Sequence, residues 1–167
     1  MLQTMIVGSL PRPTWLVPPN QMYVSWKLED EKLCEGQDDA VLLALYDQES
    51  AGLNIVTDGE QRRRHYIWGF VEGLTGLDFS RLVEIETRGN RYGIKVKAAR
   101  VVEPLRRPRS ILVDALRFMK QHTTKAIKAT LPGPMTTADT VADEYYGDRR
   151  KLANELAQIL NEEACEL

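Results

Sequence analysis

The stretch LNIVTDGEQRRRH, residues 53–65, decides how this chain is read. Leu53 to Val56 form a short apolar run bounded by Gly52 on one side and Asp58-Gly59 on the other. Buried parallel strands read this way, as continuous apolar runs without alternation. Polar residues follow at once, which is where barrel enzymes carry their active-site loops. Upstream, residues 38–50 place Val41, Leu42, Leu45 and Tyr46 at helical spacing, and Gly52 stands where a helix stops.

Working outward, the same grammar recurs. Residues 4–7 form a candidate first strand ended by Gly8-Ser9, and Pro11, Pro13, Pro18 and Pro19 then impose an irregular loop. Residues 126–131 form a third candidate core strand, stopped by Pro132-Gly133-Pro134. Residues 83–102 differ. Val83 and Ile85 alternate with Glu84 and Glu86, and Ile94, Val96 and Ala98 alternate with Lys95 and Lys97, around the turn residues Arg88-Gly89-Asn90. This predicts a hairpin excursion with one wet face. Helices are expected over 110–122, with Ile111, Leu112, Ala115, Leu116 and Met119 on one side, and over 137–146, ending at Gly147. Asp148 caps a last helix whose stripe is Leu152, Leu156, Ile159, Leu160 and Leu167. Strands alternating with helices predict an α/β fold with a parallel sheet and right-handed crossovers.

Composition narrows the class. At 167 residues, with 43% apolar and 28% charged residues, the chain fits a single globular domain. A net charge of −2 gives no global field for nucleic acid or an anionic membrane. No apolar run approaches a membrane span and the N-terminus lacks signal-peptide character, so a cytoplasmic protein is expected. Cys34 and Cys165 suggest no disulfide framework.

The chemistry-bearing residues sit at the strand ends. Gly8 lets a ligand approach the backbone, and Ser9 offers N–H and hydroxyl groups to a carboxylate; a simple strand-ending turn is the plainer reading. Asp58 and Glu60 flank Gly59, a pattern that can bind an ammonium group, ligate a metal or move a proton. Arg62, Arg63 and Arg64 follow, so a local ion-pair cluster is the competing reading. His65, beside Tyr66 and Trp68, fits a hydrogen-bonded structural residue better than a ligand, and His122 fits a helix C-terminus. No C-x-x-C, H-x-C or H-E-x-x-H spacing is present, so no zinc site can be assembled from spacing. Residues 88–109 hold eight basic side chains (Arg88, Arg91, Lys95, Lys97, Arg100, Arg106, Arg107 and Arg109) against one acid, Glu103. Tyr92 alone is thin for a stacking platform, so a solvated hairpin face is favoured over a local anion clamp or a nucleic-acid surface.

In order, VGSLPRPTWL (7–16), SWKL (25–28), QESAGLNIVTDGEQRRRHY (48–66), LPGPMT (131–136), DEYYGD (143–148) and LNEEACEL (160–167) resemble the catalytic barrel of the cobalamin-independent methionine synthase family, whose superfamily includes epoxyalkane:coenzyme M transferases. The resemblance implies the N-terminal part of a (β/α)8 TIM barrel: the first three core strands with their helices plus the hairpin. It implies a thiol methyl- or alkyltransferase in which zinc makes a substrate thiol into a thiolate. Ser9 then corresponds to the group that binds the substrate carboxylate, Glu60 to the one near the thiol substrate and metal, and Gly133, Pro134 and Thr136 to the pocket mouth. Gly8, Asp58, Arg63 and His65 complete the expected substrate-side set. The family's Asp-Glu-Pro motif and its zinc-binding His-x-Cys, Glu and Cys have no counterpart here, so zinc is expected for the family and not from this chain's ligands.

Three functions are weighed on this basis. The first is one part of a methionine-forming methyltransferase, inactive without a chain that supplies the zinc ligands. A coenzyme M transferase-like member is the variant of that reading. The second is a non-catalytic remnant that binds a ligand or partner, with a homo-oligomer or a complementing C-terminal chain covering its exposed strand edges. A nucleic-acid binder ranks last.

Overall fold

The computed structural model describes residues 2–19, 21, 24–65, 67–86 and 95–167. Tyr66, the Arg88-Gly89-Asn90 turn, Arg91, Tyr92 and Ile94 lie outside the described residues. The fold is α/β, and in chain order the elements are α1 (Asp30–Ser50), β1 (Ile55–Val56), α2 (Trp68–Val71), β2 (Thr75–Glu86), β3 (Lys95–Arg106), α3 (Val113–His122), β4 (Ala126–Ile127), α4 (Pro134–Ala138), β5 (Val141–Asp143) and α5 (Arg149–Glu166). They fall into two compact units. The first holds the described residues up to Gly69 together with Leu112–Thr130 and Leu167; the second holds those of Phe70–Ile111 and Leu131–Glu166.

The first unit is built on a parallel pair. Ile55 faces Ala126 and Val56 faces Ile127, so β1 and β4 lie side by side as buried apolar runs predict. Their cover is α1 and α3: Val41, Leu45, Val56 and Met119 form one buried cluster, with Leu116, Phe118 and Ile127 against it. Gln48 is buried at the end of α1. Its amide donates to the Thr57 carbonyl at 2.7 Å and accepts from the Thr57 N–H at 3.0 Å, so a helix side chain completes the strand end. A second cluster, Leu16, Val17, Val24 and Ala40, seats the proline-rich loop on α1. Helix α1 begins eight residues earlier than the stripe at 38–50 indicates. Gly36, a poor helix former, sits inside it because a Cβ there would lie 2.6 Å from Leu28 and 3.1 Å from Trp15.

Residues 4–7, expected as the first core strand, form none. The Thr4 carbonyl accepts from the N–H groups of Asn54 and Ile55, at 3.0 and 3.2 Å, so this segment does run beside β1. The carbonyls of Ile6 and Val7 go to the Lys128 ammonium, which takes the place of a strand partner there.

The second unit carries the hairpin. Strands β2 and β3 pair antiparallel, with Val83 opposite Ala98, Glu84 opposite Lys97 and Ile85 opposite Val96, so the alternating pattern does specify this register. The strands are longer than residues 83–102 alone suggest. Residues 137–146 are not a helix. The helix is α4, which starts at Pro134, and the chain then turns into β5, pairing parallel with β3 through Ala99–Val141 and Val101–Asp143. Pairing with β3 outweighs the weak helical pattern, and the Asp143 carboxylate accepts the N–H groups of Tyr145 and Tyr146 to close a turn. Asp148 caps α5 through the Arg150 N–H at 2.8 Å, a contact of about 1 kcal/mol. Leu152, Leu156, Ile159 and Leu160 are buried as the stripe requires.

Three of the basic residues in the 88–109 segment are ion-paired. Lys95 meets Glu84, Arg100 joins Asp78 and Glu144, and Arg107 is held by Glu162, Glu163 and Glu166. These partners neutralise Lys95, Arg100 and Arg107.

Candidate functional site

The loop after β1 and the loop after residue 7 are stitched together. The Leu10 N–H donates to the Gly59 carbonyl at 3.0 Å, and the buried Gln61 amide donates to the carbonyls of Leu10 and Gly59 at 3.2 and 3.1 Å. Arg12 extends its guanidinium to the carbonyls of Glu60, at 3.0 Å, and Arg63. Gly59 and Glu60 both have left-handed backbones, φ +63° and +57°. Glycine adopts this readily; for a glutamate it is uncommon and marks a conformation held by its surroundings. Asp58 supplies part of that hold, its carboxylate accepting the Glu60 N–H at 3.0 Å.

This backbone buries a carboxylate. Glu60 is 5% exposed, and its Oε1 accepts the Thr130 hydroxyl at 2.9 Å. Oε2 is buried and has no hydrogen-bond partner among the described residues. Arg63, also buried, donates to the Thr130 carbonyl and hydroxyl, each at 3.0 Å. It stands 3.7 Å from Glu60 and 4.0 Å from Asp58, near enough to balance charge and too far for direct hydrogen bonds. An unpaired carboxylate oxygen out of water is costly unless a donor arrives.

Gly8 is buried against this group. A Cβ there would fall 2.8 Å from Thr130 Cγ2 and 3.0 Å from Glu60 Oε1, so only glycine passes. Ser9 beside it is exposed. His65 is half-buried, and its Nδ1 accepts the Ile67 N–H at 3.3 Å. Burial pushes its imidazole below the usual 6.5, and Arg12 adds to this while Glu60 opposes it. The ring is therefore neutral at pH 7.

The first unit thus brings together Gly8, Asp58, Glu60 and Arg63, with Ser9 and His65 alongside. Gly133, Pro134 and Thr136 belong to the second unit, where Gly133 is exposed and its carbonyl accepts the Thr137 N–H and hydroxyl. Asp58 and Arg63 brace the loop from inside. Arg12 and Thr130 were not foreseen as part of the site. Thr130 lies one residue before the end of the third candidate strand and Arg12 lies between two prolines, the only local signals either residue carries.

Both histidines and both cysteines are among the described residues; Cys34 and Cys165 are exposed, and His122 Nδ1–H donates to the Phe118 carbonyl. No group of three or more His, Cys, Asp or Glu gathers among the described residues. The residues present do not fit a zinc site.

Comparison with known proteins gives a consistent picture. Residues 2–167 match the family model described as cobalamin-independent synthase, catalytic domain. The chain is 37% identical over 168 residues to methionine synthase of Sulfurisphaera tokodaii and 35% identical over 164 residues to that of Thermococcus kodakarensis. These alignments cover 100% and 98% of this chain and 48% and 47% of the relatives, so the chain spans about half their length. Among solved structures, a B12-independent methionine synthase from Shewanella sp. W3-18-1, in complex with selenomethionine, superposes with a TM-score of 0.90 and 46% identity. The match covers 95% of this chain and 46% of that one. A Listeria monocytogenes protein described as a B12-independent methionine synthase shares the fold at a TM-score of 0.62 and 21% identity, over 81% of this chain and 38% of that one.

Proposed function

This chain belongs to the family of cobalamin-independent synthase catalytic domains, and we propose that it supplies the amino-acid-binding part of a methionine-forming methyltransferase. The observation that carries the reading is the buried Oε2 of Glu60, an anionic acceptor with no partner among the described residues. An amino acid's ammonium group satisfies it with a charge-assisted hydrogen bond. The exposed Ser9 hydroxyl and N–H receive the carboxylate. That leaves the side chain, and the thiol of homocysteine, to extend away from Glu60. His65, neutral beside the carboxylate, adds no positive charge to repel the ammonium group.

In this reading residues 1–167 are the N-terminal part of one TIM barrel, with β1 and β4 among its core strands and β2–β3 as an excursion. The donor set among the described residues does not fit zinc, and the roles of these residues are confined to binding the amino acid. Support for a partial barrel comes from relatives about twice as long and from apolar side chains left exposed, Leu2 and Val7 at more than 90% and Tyr46 at 69%. The ion pairs at Lys95, Arg100 and Arg107 and the net charge of −2 favour a small-molecule role over nucleic acid. No helix among the described residues is long and apolar enough to cross a membrane, which fits the proposed cytoplasmic setting.

The test is co-expression with the C-terminal half of a full-length methionine synthase relative, assayed for methionine formation from homocysteine. The pair is expected to be active and each half alone inactive. In the active pair, Glu60→Gln lowers kcat/KM by about tenfold or more. An inactive pair whose halves co-purify as a folded complex contradicts the proposal, as does an unchanged kcat/KM in Glu60→Gln.

A further inference from the structure

We infer that Thr130 is a positioning residue that keeps one oxygen of Glu60 free for the ligand. This rests on the amino-acid-binding reading of the same site. A threonine hydroxyl has one proton to give. Arg63 Nη1 donates to Thr130 Oγ1 at 3.0 Å, so the oxygen's accepting side faces the guanidinium and its proton goes to Glu60 Oε1 at 2.9 Å. The order of donation is Arg63 to Thr130 to Glu60. Arg63 does not reach the carboxylate itself, standing 3.7 Å away.

Each end of this relay is fixed. The Thr130 carbonyl accepts a second bond from the same Arg63 nitrogen at 3.0 Å, independent of the side chain. The Thr130 methyl fills the space beneath Gly8, where a Cβ would approach Cγ2 to 2.8 Å, and this selects the rotamer that aims the hydroxyl at Glu60. Oε1 is thereby occupied and Oε2 left buried without a partner. Without the hydroxyl, Arg63 loses an acceptor and Glu60 a donor, and the shortest repair is a direct bond between them. That pair draws the carboxylate toward the guanidinium and weakens its hold on an incoming ammonium group.

The role predicts a chemical signature. Calorimetric titration of the full chain compares L-methionine with 4-(methylthio)butanoate, the same molecule without the amino group. Wild type is expected to prefer methionine. Thr130→Val, nearly isosteric, reduces that preference about tenfold by weakening methionine alone. Thr130→Ser keeps the hydroxyl and stays within about threefold of wild type. Cooperative urea unfolding checks each variant, and Thr130→Ala replaces Thr130→Val if the latter does not fold. Equal loss for both compounds, or an unchanged preference in Thr130→Val and Thr130→Ala, overturns the positioning role while leaving the amino-acid site standing. A wild-type chain that binds neither compound overturns the functional reading and this inference with it.

Discussion

At the residue scale, the site depends on a glutamate held where glutamate seldom sits. The left-handed backbone of Glu60 is fixed by Asp58 on its N–H and by Arg12 on its carbonyl, so the strain is maintained by charged neighbours rather than by packing alone. Gly8 is the most constrained position beside it. Gly8→Ala pushes a methyl into Thr130 and Glu60, both confined, and is expected to cost about 1–3 kcal/mol in urea unfolding. His65 gives a pH signature. Its folded pKa is depressed by burial, so below 6.5 the unfolded chain takes up a proton that the folded chain resists. Stability therefore falls as pH drops through 6.5 toward the folded value, and is unaffected by this group above that range. Replacing His65 with Gln should flatten the stability profile between pH 7 and 5; an unchanged profile would show that the ring titrates alike in both states.

At the element scale, α5 is anchored by a buried carboxylate. Glu163 is fully buried, takes the Ile111 N–H at 3.0 Å and pairs with Arg107, whose guanidinium is held further into its charged form by Glu166 and Glu163. Glu163→Ala removes one of the three carboxylates around Arg107 and the acceptor of the Ile111 N–H, and should destabilise by about 1–3 kcal/mol, measured by chemical denaturation. Helix α1 makes an opposite point about propensity. Gly36→Ala would stabilise an isolated helix by about 1 kcal/mol, yet here the added Cβ meets Leu28 and Trp15, so a net loss is expected. These contacts also explain what could be read from sequence. Strand β1, the hairpin register and the Asp148 cap follow local rules of apolar runs, alternation and turn chemistry. Residues 4–7 misled because the Lys128 ammonium that takes their carbonyls comes from far along the chain. Residues 137–146 misled because pairing with β3 overrides local pattern. Glu60 is legible as a residue just past β1, and Gly8 and Ser9 as loop residues after an apolar run that forms no strand. Arg12 and Thr130 are not, because their roles exist only through contacts about 50 and 70 residues away.

At the scale of the whole molecule, the chain carries a loop cluster around the buried Glu60, and no group of three or more His, Cys, Asp or Glu gathers among the described residues. The chain spans about half of the relatives it resembles. Both observations fit the proposed role in recognising the amino acid. The most direct test is nuclear magnetic resonance of the 15N-labelled chain titrated with L-methionine. The account predicts saturable shifts at the backbone amides of Gly8, Ser9, Glu60 and Thr130, largely abolished in Glu60→Gln. Saturable shifts confined to other residues, or none at these four at millimolar ligand, would contradict it.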